Sequence, residues 1–169
     1  MSEMNDKKQS KDATREVTIA KMSDYYVRFI PDNILTTLKQ DEICLIKELD
    51  WSGNTPKFIC SETVQFADAG QNFEYVKCAS CSANITEWWG NAMSLAYSDE
   101  HGFTNLEVIT PCCDMRVSLH DLDYSLTQGF YKTMIEISPN PSSHLSSEHV
   151  ANYLKMITKE AWRIIHARY

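Results

Sequence analysis

Cys78-Ala79-Ser80-Cys81 places two thiols with two residues between them, and a second pair of thiols follows at Cys112-Cys113. Two intervening residues let a chain reverse so that both sulfurs face one ion, and Zn²⁺ accepts four thiolates in a tetrahedron. The second pair is adjacent in sequence and not another C-x-x-C, but neighbours in a turn can converge on one ion with more strain. The expected centre is therefore a four-cysteine Zn²⁺ site made by Cys78, Cys81, Cys112 and Cys113. If only one of the second pair binds, His120 and His101 are the nearest replacements in sequence.

Other chemistry is less well supported. A redox C-x-x-C opens a helix, whose N-terminus stabilises the thiolate, whereas Cys78 and Cys81 follow an extended run and precede Ser82-Ala83-Asn84. Cys44 and Cys60 lie in apolar surroundings and are expected to be buried core thiols. Ser118, His120, Asp121 and Asp123 offer a nucleophile, a base and carboxylates, but a triad is defined by geometry across a fold and not by crowding in one segment. Trp88 and Trp89 must point in different directions on a helix, which puts one in the core and leaves the other partly exposed. Phosphate-cradling glycine loops, H-E-x-x-H and nucleophile elbows are absent from the sequence, and nothing in it compels an enzyme.

The elements that must position the thiols follow from periodicity. Residues 24–30 are aromatic and β-branched and predict a strand ending at Pro31. Apolar groups from Asn33 to Leu49 recur at helical spacing, with Asp32 or Asn33 as the N-cap. Phe58-Ile59 and Val64-Phe66 predict short extended segments, and Phe73–Lys77 predicts a strand running into Cys78. Thr86 is expected to cap a helix over 87–98. Strands are expected at 106–110, 115–119 and 130–137, with the second thiol pair in the reversal between the first two. Ser146 or Ser147 caps a last helix, and residues 162–167 could extend it or form a strand. The expected fold is α+β: a mainly antiparallel sheet with helices packed on one face, and a zinc-ribbon-like site of four cysteines between two turns.

Taken together, Cys78-Ala79-Ser80-Cys81, Trp88-Trp89, Thr110-Pro111-Cys112-Cys113, Ser118-Leu119-His120-Asp121-Leu122-Asp123-Tyr124, Gly129-Phe130 and Asn140-Pro141 resemble a family of uncharacterised bacterial proteins over residues 17–169. Members of that family commonly read C-P-x-C-G and P-C-C-G at the two thiol pairs, as zinc ribbons do. Here Ala79, Ser82 and Asp114 stand where the family has Pro and the two Gly residues, which ease the positive-φ positions of such turns. The resemblance implies a zinc-bearing α+β domain and no particular activity.

A chain of 169 residues with 43% hydrophobic groups suffices for one domain without disulfides. Residues 1–16 carry almost no apolar groups and are expected to be a flexible tail before a single domain at 17–169. The start has no apolar signal region, so a cytoplasmic protein without a membrane span is expected. The net charge of −7 conceals an acidic body: residues 17–154 carry a net −10, and residues 155–169 a net +3 through Lys155, Lys159, Arg163 and Arg168. Such a body repels a phosphate backbone and suits a basic protein partner. The expected function is a zinc-binding interaction module of adaptor or immunity type. A metal-dependent enzyme with an open zinc position is the alternative, ahead of a zinc-ribbon nucleic-acid binder using the basic end.

Overall fold

Tyr25-Tyr26-Val27-Arg28-Phe29-Ile30-Pro31 forms the first strand, β1 (Tyr25–Pro31), of the computed structural model, which describes residues 24–169. The expected tail at 1–16 and the first residues of the expected domain, 17–23, lie outside the described residues. There follow α1 (Gln40–Lys47), β2 (Lys57–Ala67), β3 (Val76–Lys77), α2 (Thr86–Ala96), β4 (Tyr97–Ser98), β5 (Gly102–Phe103), β6 (Glu107–Ile109) and β7 (Arg116–Ser118). A short 3-10 turn (Leu119–Asp121), β8 (Asp123–Tyr124), β9 (Gly129–Ile137), α3 (Ser147–Thr158) and β10 (Trp162–Arg168) complete the described chain. One sheet runs in the order β10-β1-β9-β2-β5-β4, and β3–β8 and β6–β7 form two separate ribbons. Every pairing is antiparallel except β2–β5, so the α+β class with a mainly antiparallel sheet is the one the sequence predicts.

Buried apolar residues gather in two large clusters and a smaller third one of Ile30, Ala67, Tyr131, Met134 and Ile165. Val27 pairs with Ile137 and Phe29 with Ile135, so the four side chains share a face. Ile46 of α1 and Val150 and Leu154 of α3 are buried against that face. The second core lies at the start of β9, where Phe130 meets Val76, Ile85, Leu106 and Leu119 together with Ala92 and Ala96 of α2. Phe66 joins it and stacks at a tilt on Phe130, with ring centroids 4.9 Å apart.

Several elements differ from expectation, each for a visible reason. Asn33 caps no helix: its Oδ1 accepts the Leu35 N–H at 3.1 Å and its carbonyl accepts the Thr36 N–H. The carbonyl of Ile34 accepts the Lys132 N–H at 3.0 Å, which ties this turn to β9. The helix starts only at Gln40, where the Glu42 carboxylate accepts the Lys39 N–H at 2.8 Å. Residues 57–67 form one strand with an irregular register between Cys60 and Gln65, in place of two short segments. α2 stops at Ala96, because Gly102 turns the chain with φ +63° into a hairpin of β4 and β5. A Cβ on Gly102 would lie 2.6 Å from the Val64 carbonyl oxygen, a close approach only glycine permits. Residues 162–168 are a strand, paired with β1 along its whole length, since Lys159 adopts φ +63° and ends α3. At the other end of β10, Arg168 donates its N–H to the Ala69 carbonyl and accepts the Gln71 N–H at 2.7 Å.

Phe29 is fully buried at the centre of the first core. Phe29→Ala is expected to cost about 3–5 kcal/mol through lost burial and the cavity left behind, read as a lower urea midpoint with an unchanged slope.

Candidate metal centre

Both thiol pairs sit at the tips of hairpins built on one plan. At the first tip the Cys78 N–H donates to the Ala83 carbonyl at 2.9 Å, and the Ser82 N–H donates to the Cys78 carbonyl at 2.9 Å. At the second tip the Thr110 N–H donates to the Met115 carbonyl at 2.9 Å, and the Asp114 N–H donates to the Thr110 carbonyl at 3.0 Å. The equivalent residues Ser82 and Asp114 both take positive φ, +60° and +54°. Glycine is the residue that takes such φ values without steric cost. The turns therefore form without it, at the conformational cost that an L side chain bears in this region.

Superposing the two bonding patterns sets Thr110 where Cys78 stands in the first tip, and Cys113 where Cys81 stands. Cys112 has Ser80 as its counterpart, so the second tip supplies its extra thiol from a different position. Sequence reasoning did not single out Thr110. The signal was present in the parallel strings Cys78-Ala79-Ser80-Cys81-Ser82 and Thr110-Pro111-Cys112-Cys113-Asp114, but only the matched hydrogen bonds make the register visible.

The four sulfurs all lie within 4.8 Å of one another. Cys81 Sγ is 3.3 Å from Cys112 Sγ, Cys78 Sγ is 3.7 Å from Cys113 Sγ, and the two sulfurs of the second pair are 3.9 Å apart. A tetrahedral ion with metal–sulfur bonds of about 2.3 Å spaces its sulfurs roughly 3.8 Å apart. The donor set and its spacing fit a metal ion, and among the described residues no His, Asp or Glu joins the cluster.

Polar groups around the cluster favour thiolates unequally. The Ser80 N–H donates to Cys78 Sγ at 3.4 Å, and the Thr110 hydroxyl lies 3.8 Å from Cys78 Sγ and 3.4 Å from Cys113 Sγ. Backbone N–H groups of Cys81 and Ser80 hold the Cys78 thiol down to about 6, and the Thr110 hydroxyl also lowers Cys113. Cys112 is pushed up to about 12 by loss of hydration and by the neighbouring sulfurs of Cys81 and Cys78. Although Cys112 as a residue is exposed, its sulfur is crowded by the other three. A cluster of like charges holds protons until a cation replaces them.

The fold seats the centre on the second core. Cys78 is only 1% exposed and belongs to that core, Cys113 is half-buried against it, and Cys81 and Cys112 are exposed. The first hairpin is pinned from two sides: Thr86 Oγ1 accepts the Val76 N–H at 2.9 Å, and Val76 pairs with Tyr124 across β3–β8. The Thr86 hydroxyl is thus engaged with β3 and does not cap α2, contrary to expectation. Of the adjacent tryptophans, Trp89 stacks on Phe73 with centroids 5.1 Å apart and donates to the Tyr124 hydroxyl, while Trp88 borders two surface grooves.

The remaining candidates lie elsewhere. Cys44 and Cys60 are exposed and not core thiols: Cys44 takes a solvent-facing position on α1 beside Gln40, and Cys60 an outward one at the irregular stretch of β2. His101 is exposed, near Glu100. His120 is buried, with Nδ1 accepting the Phe130 N–H at 3.0 Å and its carbonyl accepting from Arg163 at 2.7 Å. It fastens the 3-10 turn to β9 and β10. Ser118 Oγ accepts the His120 backbone N–H, so Ser118 and His120 form a turn and not a nucleophile and base. No family model, curated protein or solved structure matches the chain.

Two outcomes are expected. Ser82→Gly and Asp114→Gly should each stabilise the protein by about 1 kcal/mol by relieving positive φ, measured by thermal melting; no gain at either position would count against strain at the tips. Burial, followed by the charge of Arg163, depresses the His120 pKa, so the unfolded chain binds a proton that the folded one refuses. Its contribution is present above the ordinary histidine value of about 6.5 and is lost as pH falls below it. The fall in Tm on acidification below that value should be smaller in His120→Gln than in the parent.

Proposed function

We propose that the protein is a zinc-stapled interaction domain, in which a structural Zn²⁺ centre of four cysteines locks two hairpins together beside a surface that binds a basic protein segment. The observation that carries this reading is the meeting of four thiols from two hairpin tips of one bonding plan. Four thiolates favour Zn²⁺ and leave no open position for water, which supports a structural site over the catalytic alternative.

Support for binding comes from the surface next to the centre. A groove of about 430 Å³ beside α2 is lined by Trp88, Ala92, Leu95, Val108 and Ile109. Leu95 is 89% and Ile109 59% exposed, an unusual display of aliphatic surface. On the other side of Trp88 a cleft of about 620 Å³ is lined by Glu74, Glu87 and Cys112 among others, with no cationic side chain. An apolar groove beside an acidic one suits a segment that alternates Lys or Arg with aliphatic residues. The basic C-terminal strip offers less to nucleic acid. Arg163 donates to Asp32, Asp121 and the His120 carbonyl, and Lys159 Nζ donates to the Met156 carbonyl. Among the described residues no helix is long and apolar enough to cross a membrane.

Protein purified without added metal should hold one zinc per chain by elemental analysis. Chelation or Cys81→Ser should lower Tm by at least about 5 °C, because the binding energy of the ion is also folding energy. An unchanged Tm after complete chelation overturns the structural role.

A further inference from the structure

The four sulfurs are not equivalent towards reagents in solution. Cys78 is 1% exposed, receives the Ser80 N–H and lies against the Thr110 hydroxyl, and Cys113 is half-buried against the same hydroxyl. Cys81 and Cys112 are exposed, their sulfurs meet across the two hairpins at 3.3 Å, and Cys112 borders the 620 Å³ cleft. Accessible thiols are the ones that oxidants reach, and a nearby second thiol decides whether the product is a disulfide.

We infer that Cys81 and Cys112 form a reversible oxidation site, at which hydrogen peroxide converts the pair to a disulfide and releases the metal. The release rests on the four-cysteine zinc reading above, whereas the choice of pair rests on exposure and distance alone. The Cys81 thiolate attacks one peroxide oxygen; an S–O bond forms, the O–O bond breaks and hydroxide leaves. The Cys112 thiolate then attacks that sulfur, forming the S–S bond and expelling a second hydroxide. Two thiolates lose two electrons, the peroxide gains them, and two protons from solvent complete two waters.

The competing products are disfavoured on geometry. A bond between Cys112 and Cys113 would join α-carbons only about 3.8 Å apart, below the roughly 4.4–6.8 Å that a disulfide spans. A bond to Cys78, from Cys81 or Cys113, would draw on the least accessible of the four residues, 1% exposed. The chosen bond has a particular result: it joins the same two hairpin tips that the ion joined. Oxidation therefore exchanges a metal cross-link for a covalent one at the wall of the acidic cleft.

The test uses the full chain loaded with zinc and treated with limiting hydrogen peroxide. Free thiols are blocked with iodoacetamide, disulfides are reduced, and the thiols released are labelled with N-ethylmaleimide before chymotryptic digestion and fragment sequencing. Cys81 and Cys112 should carry the second label at least about tenfold more than Cys78 or Cys113, with one zinc released per disulfide and both changes reversed by dithiothreitol. In Cys112→Ser the disulfide should be lost and Cys81 should be trapped by dimedone as its sulfenic acid. A second label on Cys78 with Cys81 or Cys113, or an even spread over four thiols, overturns the inference. A chain that carries no metal before oxidation overturns the four-cysteine zinc reading instead, and the label positions still decide the pair.

Discussion

Four sulfurs held within 4.8 Å cannot all be thiolates unless a positive charge lies among them. Much of the second half of the fold depends on how that constraint is met. The ribbons that carry the thiols are short, two residues a side in β3–β8 and three in β6–β7, and such ladders do not persist alone in water. Without a cation the cluster holds protons and its sulfurs have little reason to converge. With one, each hairpin tip gains a fixed partner across the gap.

The large sheet is organised differently. β1, β9 and β10 are long, pair over most of their length and bury Phe29, Ile135 and Ile165 completely. Their cohesion comes from apolar area removed from water, to which α1 and α3 contribute Ile46, Val150 and Leu154. The two regimes meet at the start of β9. There Phe130 lies in the second core, and its N–H is bonded to His120 at the turn that leads away from β7. One part is held by burial, and the other carries the four-thiol cluster above its buried core.

What the sequence made legible follows the same division. β1, β9, α3 and its Ser146 cap could be read directly, because long apolar runs and a cap before a charged turn each have one physical meaning. The thiol pairs were legible because two residues between cysteines is a geometric statement. The starts of α1 and α2 were not. Asn33 and Thr86 look like N-caps in isolation, but their side chains serve a turn and a neighbouring strand. The β4–β5 hairpin was hidden in a stretch whose apolar spacing also suits a helix. Cys44 and Cys60 misled for a related reason: apolar neighbours in sequence do not say which way a side chain faces. Thr110 was silent because its likeness to Cys78 lies in backbone bonding and not in residue type.

The bonds from Arg168 to Ala69 and Gln71 have a bearing on how the molecule behaves among its own copies. β10 is an outer strand, and an uncovered outer strand offers its backbone to any other extended chain. Residues 69–71 fold over its final stretch and take up those groups, Asn72 adds a bond to the His166 carbonyl, and Gly70 lacks the side chain that would hold the two backbones apart. The opposite outer strand, β4, is only two residues long. The sheet thus presents little open ladder at the end of β10 and at β4, which resists edge-to-edge stacking into fibres at those two places.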